Sequence, residues 1–344
     1  QALGVDTSRD RDIDESAVHP APSRLHPDRR SALAALVGDE HLADDDATRL
    51  RHAGGKSTLD LLRRRIAGEQ DTPDAVVSPG THDEVLAVLA YCATEAIAVV
   101  PFGGGTSVVG GVDPVRGPFD AVVAVDLHRM TALTALDPIS GLATIEAGAT
   151  GPQAEQLLAA HGYSLGHFPQ SYRHATLGEF AVTRSSGQAS AGYGRFEDMV
   201  DHLVVATPRG TVRTGRAPAS AAGPDLRRLF LGSEGTLGIV TEVGVRIHPV
   251  PETTVFRAWS FPDFATGAAA LRTLAQTGAM PTVLRLSDEA ETGLNLALHD
   301  NIGGSAPGGC LAVTTVEGTD AHARARSEEV TAILAAAGGT DLGD

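Results

Sequence analysis

"VVPFGGGTSVVGG", residues 99–111, puts three consecutive glycines directly behind an apolar run, Ile97–Phe102, that reads as a strand. A glycine triplet adds backbone entropy to a strand or helix and packs no side chain. The segment therefore reads as a loop that needs bare backbone. Two uses fit: a plain glycine turn, or a nest. In a nest, the N–H groups of Gly103, Gly104, Gly105, Thr106 and Ser107 converge on an anion such as a pyrophosphate, and the two hydroxyls add donors.

Upstream, "DAVVSP" (74–79) reads as a strand and "THDEVLAVLAYCATEA" (81–96) as a helix N-capped by Thr81. With Ile97–Phe102 they make a strand–helix–strand unit, which predicts parallel pairing. Downstream, "DAVVAVDL" (120–127), "MTALTALD" (130–137) and "GLATIEAG" (141–148) follow so quickly that they read as three antiparallel strands. Residues 151–162 read as a helix ending at Gly162, 166–196 as a long loop with little regular structure, and 199–215 as a hairpin turning at Pro208-Arg209-Gly210. A short helix, a glycine-rich connector and a long strand fill 223–252. Strands and helices then alternate from 253 onward as a second α+β unit. The last helix has no returning strand after it, which predicts an incomplete unit. The expected organisation is a polar and helical segment over 1–73, weakly ordered over 1–30, a first domain over 74–252 and a truncated second domain over 253–344.

A net charge of −16 disfavours sequence-independent nucleic-acid binding and anionic membranes. No stretch approaches 18 uninterrupted apolar residues, so no membrane helix is expected. Cys92 and Cys310 form neither a disulfide framework nor a metal motif, which fits a reducing, cytoplasmic compartment and no metal. The first residue is not Met, which is consistent with a fragment. "HAGGKST" (52–58) fails as a nucleotide P-loop, because Leu50 stands where the motif needs glycine. G-x-G-x-x-G read from Gly103 fails at Val108, which disfavours a dinucleotide turn of the NAD type.

Four motifs occur in a specific order: P-F-G-G-G-T-S at 101–107, G-H-F-P-Q-S at 166–171, T-R-S-S-G at 183–187 and G-S-E-G-T-L-G-I-V at 232–240. In that order the chain resembles the FAD-binding domain of the vanillyl-alcohol oxidase/p-cresol methylhydroxylase flavoprotein superfamily. The likeness is strongest to its alkylglycerone-phosphate synthase (alkyldihydroxyacetonephosphate synthase) branch. It runs from about Arg49 to the end and is strongest over 99–252.

The resemblance implies an α+β fold: an FAD-binding domain of two α+β subdomains, followed by the start of an α+β cap. It implies FAD with its pyrophosphate on Gly103, Gly104, Gly105, Thr106 and Ser107, and with Pro101, Phe102 and Gly178 as further cofactor-binding residues. Its adenosine end would meet Glu234, Gly235, Thr236, Ile239 and Val240. Its isoalloxazine would meet Pro169, Ser171, Thr176, Thr183, Ser185, Ser186 and Gly187. Phe102 and the absence of histidine in the first loop imply non-covalent FAD. Arg285, in "PTVLRLSD", resembles a cap arginine that reaches flavin and substrate, and a guanidinium can clamp an anionic group with a bidentate fork. His167, His174 and His299 are further histidines of interest.

The implied reaction exchanges the acyl group of an acyl-dihydroxyacetone phosphate for a fatty alcohol through a flavin N5 adduct, as in ether-lipid biosynthesis. The alternative is an FAD-dependent 2-hydroxyacid dehydrogenase of the D-lactate or glycolate type; those relatives usually carry N-A-G-G where this chain has T-R-S-S-G. A third reading is a non-enzymatic flavin-binding remnant. A small-molecule or lipid-like substrate and a homodimer complete the expectation.

Overall fold

Every position of Ala121–Asp126 is buried, so this strand is covered on both faces. That is the signature of a central parallel strand. The computed structural model describes residues 17–215, 220–297 and 309–343. In it, Ala121–Asp126 lies between Ala75–Val77 and Ile97–Phe102 and runs parallel to both. Helix His82–Thr94, capped by the Thr81 side chain on the Glu84 N–H, joins the two outer strands. Val85, Val88, Leu89 and Cys92 form its buried stripe. Leu42–Ala43 pairs on the far edge in the antiparallel sense.

The antiparallel run expected from 120 is thus corrected. Its first member has no polar face to turn to solvent, so it enters the parallel sheet. Only Leu133–Asp137 and Leu142–Glu146 pair as expected. They join a five-stranded antiparallel sheet with Ile239–Arg246, Val200–Thr207 and Gly210–Thr214. A shared core from Leu33 to Ile247 binds the two sheets together.

The expected weak order of 1–30 fails from residue 17 on, and residues 1–16 lie outside the described residues. Asp74 is fully buried, and its carboxylate accepts the Arg24 and Val122 N–H groups at 2.7 Å each while Arg116 lies 3.3 Å away. This anchor ties the polar segment to the sheet. Val18–Pro20 pairs with Gly68–Gln70, and helix Pro27–Val37 sends Leu33, Ala34 and Val37 into the core.

The stretch 166–196 is not an irregular loop either. It contains the helices Leu177–Thr183 and Ser190–Tyr193. Both are too short for a period to be read from sequence. Leu177, Phe180 and Ala181 bury the first of them.

Beyond residue 252, Val283–Leu286, Cys310–Gly318, Thr253–Phe261 and Thr340–Gly343 form an antiparallel sheet in that order. Helices Phe264–Thr277 and Asp320–Ala336 cover one face around Trp259, Phe261, Leu274 and Leu334. The strand Thr340–Gly343 is the returning strand that the sequence reading did not find. It has one apolar residue, Leu342, and lies on an edge, so it carries no alternation. Contacts that join this sheet to the first unit include Tyr193 Oη donating to Glu317 at 2.8 Å, the Gly192 N–H donating to the Thr282 carbonyl at 3.1 Å and the Glu252 N–H donating to the Gly318 carbonyl at 3.0 Å.

Candidate functional site

The glycine loop leaves the C-terminal end of a parallel strand, where open α/β sheets place their ligands. Its three glycines are each required by a different neighbour. A Cβ on Gly103 would lie 2.6 Å from Thr176 Oγ1, one on Gly104 would lie 1.9 Å from the His174 carbonyl oxygen, and one on Gly105 would lie 2.5 Å from Phe102 Cζ. Gly105 alone has a left-handed backbone, with φ of 64°. The triplet is therefore bare first of all because other parts of the protein pack onto it.

Of the five N–H groups and two hydroxyls expected to converge, the Gly104 and Thr106 N–H groups and the Thr106 hydroxyl do so, and the anion they meet belongs to the chain. The Gly104 N–H donates to Glu179 Oε2 at 2.9 Å and the Thr106 N–H to Oε1 at 3.0 Å, while the Thr106 hydroxyl donates to the same Oε1. This donor set fits a phosphate oxygen pair as well as it fits a carboxylate. Ser107 turns inward and its hydroxyl accepts the Gly111 N–H at 3.0 Å.

The loop opens on a narrow cleft with a cavity volume of about 60 Å³. Pro101 and Phe102 line it from the strand end, Gly103 and Ser107 from the loop, and Gly178 and Thr183 from the helix Leu177–Thr183 with its N-cap Thr176. Glu234, Gly235, Ile239 and Val240 close it from the fourth motif. Glu234 has a left-handed backbone, with φ of 53°. Burial and the nearby Glu179 carboxylate push the Glu234 carboxyl up from its ordinary range. Among the described lining residues two are carboxylates and none is Lys, Arg or His.

The remaining expected residues fall elsewhere. Gly104 and Gly105 face His174 and Phe102, and Thr106 faces Glu179. Pro169 and Ser171 belong to a turn in which the Tyr172 N–H donates to the Pro169 carbonyl and the His174 N–H to the Ser171 carbonyl. Gly187 packs on this turn, its Cβ position 2.6 Å from the Phe168 carbonyl. Ser185 Oγ lies 3.0 Å from His167 Nε2, Ser186 is exposed, and Thr236 donates to the Ser233 carbonyl at the surface. Arg285 is exposed on the cap sheet, paired with Glu291, and does not line the cleft. Leu284 and Leu286 pack into the cap core, so Arg285 points from the other face of its strand. His299 lies outside the described residues.

Sequence reasoning missed Glu179. Thr176-x-x-Glu179 has the form of a capping box, which assigns the glutamate to its own helix start. Thr176 does cap, accepting the Glu179 N–H at 3.3 Å, but the glutamate side chain reaches across to the loop instead. Long-range pairing of this kind leaves no local signal.

Residues 73–216 match the FAD binding domain family, and residues 250–343 match the C-terminal domain of FAD linked oxidases. The chain belongs to the vanillyl-alcohol oxidase/p-cresol methylhydroxylase superfamily of flavoproteins, and FAD is the cofactor of its first domain. One relative is the alkyldihydroxyacetonephosphate synthase of Dictyostelium discoideum, 36% identical over 81% of this chain and 46% of the relative. Another is the mitochondrial D-lactate dehydrogenase (cytochrome) of Arabidopsis thaliana, 31% identical over 78% of this chain and 46% of the relative. A solved alkyldihydroxyacetonephosphate synthase superposes with a TM-score of 0.88 at 32% identity, covering 96% of this chain and 64% of that one. A p-cresol methylhydroxylase structure shares the fold, with a TM-score of 0.70 at 18% identity, over 91% of this chain and 65% of that one. The chain spans about half the length of the curated relatives it matches.

Two outcomes follow from this geometry. Gly104→Val should melt at a markedly lower temperature even without cofactor, because the clash is with backbone; a loss of at least ~2 kcal/mol is expected, read by urea unfolding of the cofactor-free protein. His167 is 1% exposed, between Phe180 and Phe196, and burial pushes its imidazole down to about 4. The folded state therefore binds this proton more weakly than the unfolded state. Its stabilising contribution is full above the unfolded pKa and is lost as pH falls from about 6.5 toward 4. Between pH 7 and pH 5 the wild type should lose about 2 kcal/mol that His167→Gln retains.

Proposed function

We propose that this protein is an FAD-dependent enzyme of the alkylglycerone-phosphate synthase type. It exchanges the acyl group of an acyl-dihydroxyacetone phosphate for a fatty alcohol, with FAD held non-covalently. The observation that carries the cofactor half of this reading is the convergence of the Gly104 and Thr106 N–H groups and the Thr106 hydroxyl on one anion. The synthase half is supported by the 36% identical relative and by T-R-S-S-G at 183–187.

In this reading the loop 103–107 holds the pyrophosphate through backbone donors, so the strongly acidic chain needs no cation there. Ile239 and Val240 offer apolar surface beside the adenosine end, and Thr176 and Thr183 offer hydroxyls toward the ring. Bound flavin supplies an electrophilic ring that serves as an electron sink. Arg285 is the residue proposed to clamp the substrate's phosphate after giving up Glu291. A bidentate fork on a phosphate gives position as well as charge. The D-lactate dehydrogenase relative supports a second reading, hydride transfer from a 2-hydroxyacid to FAD. The domain boundaries 1–73, 74–252 and 253–344, a homodimer and a cytoplasmic location belong to the same proposal. Two free, buried cysteines support the last of these, and no described helix is long and apolar enough to cross a membrane.

No histidine occurs in 99–111 and none lines the cleft among the described residues. Acid precipitation of the FAD-loaded protein should therefore release yellow flavin into the supernatant; colour in the pellet refutes the non-covalent assignment. Arg285→Lys keeps the charge and loses the fork. Turnover of an acylated dihydroxyacetone phosphate with a fatty alcohol should fall by about 30- to 1000-fold, at unchanged flavin content. A fall confined to D-lactate oxidation selects the dehydrogenase reading, and wild-type rates on both substrates remove Arg285 from the site.

A further inference from the structure

The anion in the nest is covalently part of the protein, and that has a consequence for the cofactor. Both Glu179 carboxylate oxygens are engaged: Oε2 by the Gly104 N–H, Oε1 by the Thr106 N–H and hydroxyl. The position Gly103 would give to a Cβ is already 3.2 Å from Glu179 Oε2. A phosphate cannot reach these donors while the carboxylate holds them.

The backbone that carries Glu179 is fixed. The Leu177 N–H donates to the Ala149 carbonyl and the Gly178 N–H to the Ala147 carbonyl, both at 2.9 Å. Gly178 packs against Ala147 with no spare space. The side chain alone can leave, by rotating into the cleft it lines. There it stays close to Glu234, whose carboxyl is already raised by burial and by Glu179.

We propose that Glu179 is an internal competitor for the pyrophosphate nest: FAD binds by exchanging with its carboxylate, and the exchange sets the affinity. The assignment rests on FAD as the ligand of this cleft. In the cofactor-free protein the carboxylate organises the loop; in the loaded protein it is a displaced charge beside a dianion. Glu179 therefore stabilises the empty site and weakens the filled one. A residue with only a structural role would weaken both when removed.

The test uses the intact protein stripped of flavin, with Glu179→Ala, Glu179→Gln and Glu234→Gln. Flavin fluorescence quenching gives the FAD Kd, and thermal unfolding gives the stability of the empty protein with and without inorganic pyrophosphate. Glu179→Ala and Glu179→Gln should bind FAD about 10- to 100-fold more tightly, the fold-change of one or two charge-assisted bonds no longer displaced. Their empty forms should melt lower than wild type, and pyrophosphate should raise their melting temperature more than that of wild type. Unchanged or weaker FAD binding in both Glu179 variants overturns the proposal. An equal gain in Glu234→Gln also overturns it, since the effect is then the charge of the cleft and not occupancy of the nest. If no form binds FAD but pyrophosphate protects the Glu179 variants selectively, the competitor stands and the FAD reading of this cleft fails. If neither ligand distinguishes the variants from wild type, the competitor fails.

Discussion

The contact on which the site depends is the one between Gly104 and the carbonyl of His174. It leaves no space for a single carbon atom, and it joins two segments seventy residues apart in the chain. One is the loop that ends a parallel strand; the other enters the short helix Leu177–Thr183. Because the two backbones touch, Thr176 stands beside Gly103 and Glu179 is delivered to the donors of Gly104 and Thr106. The cleft, its hydroxyls and its anion are all consequences of that approach. The glycine triplet is thus a packing device that also exposes amides.

The electrostatics of the cleft follow from the same design. An Arg or Lys side chain brings a full charge to an anion and acts over several ångströms. Here the described lining has none and has two carboxylates. Selectivity for an anion has to come from short, directed backbone donors, whose partial charges act only at hydrogen-bond range. Such a site discriminates by shape and by the position of oxygen atoms, and it gains little from long-range attraction by a chain of net charge −16.

Legibility in the sequence followed locality. The capped helix His82–Thr94, the hairpin Val200–Gly215 and the alternating strands and helices after 252 were readable because caps, turns and periods act over a few residues. The loop at 103–107 was readable as a bare-backbone segment for the same reason. What was not readable depends on partners far along the chain. Ala121–Asp126 looks like any apolar strand, and only its neighbours make it central. Thr340–Gly343 has one apolar residue and becomes a strand because Trp259 and Ser260 offer an edge. Glu179 has the local look of a helix-capping residue, and its cross-chain role is fixed by Gly104 and Thr106. Asp74 likewise reads as the opening residue of a strand until Arg24 and Val122 bring their amides to it.

The insertion of Ala121–Asp126 between two earlier strands also governs the order of assembly. Ala75–Val77 and Ile97–Phe102 leave the ribosome first, joined by their helix, yet they are not partners of each other. Each presents an unpaired hydrophobic edge until some twenty further residues have been synthesised. The sheet closes by threading a late strand into a gap rather than by zipping neighbours together. Such non-local pairing is slow and exposes strand edges in the interval. During synthesis, therefore, the length of the segment 103–120 sets how long these edges wait for their partner.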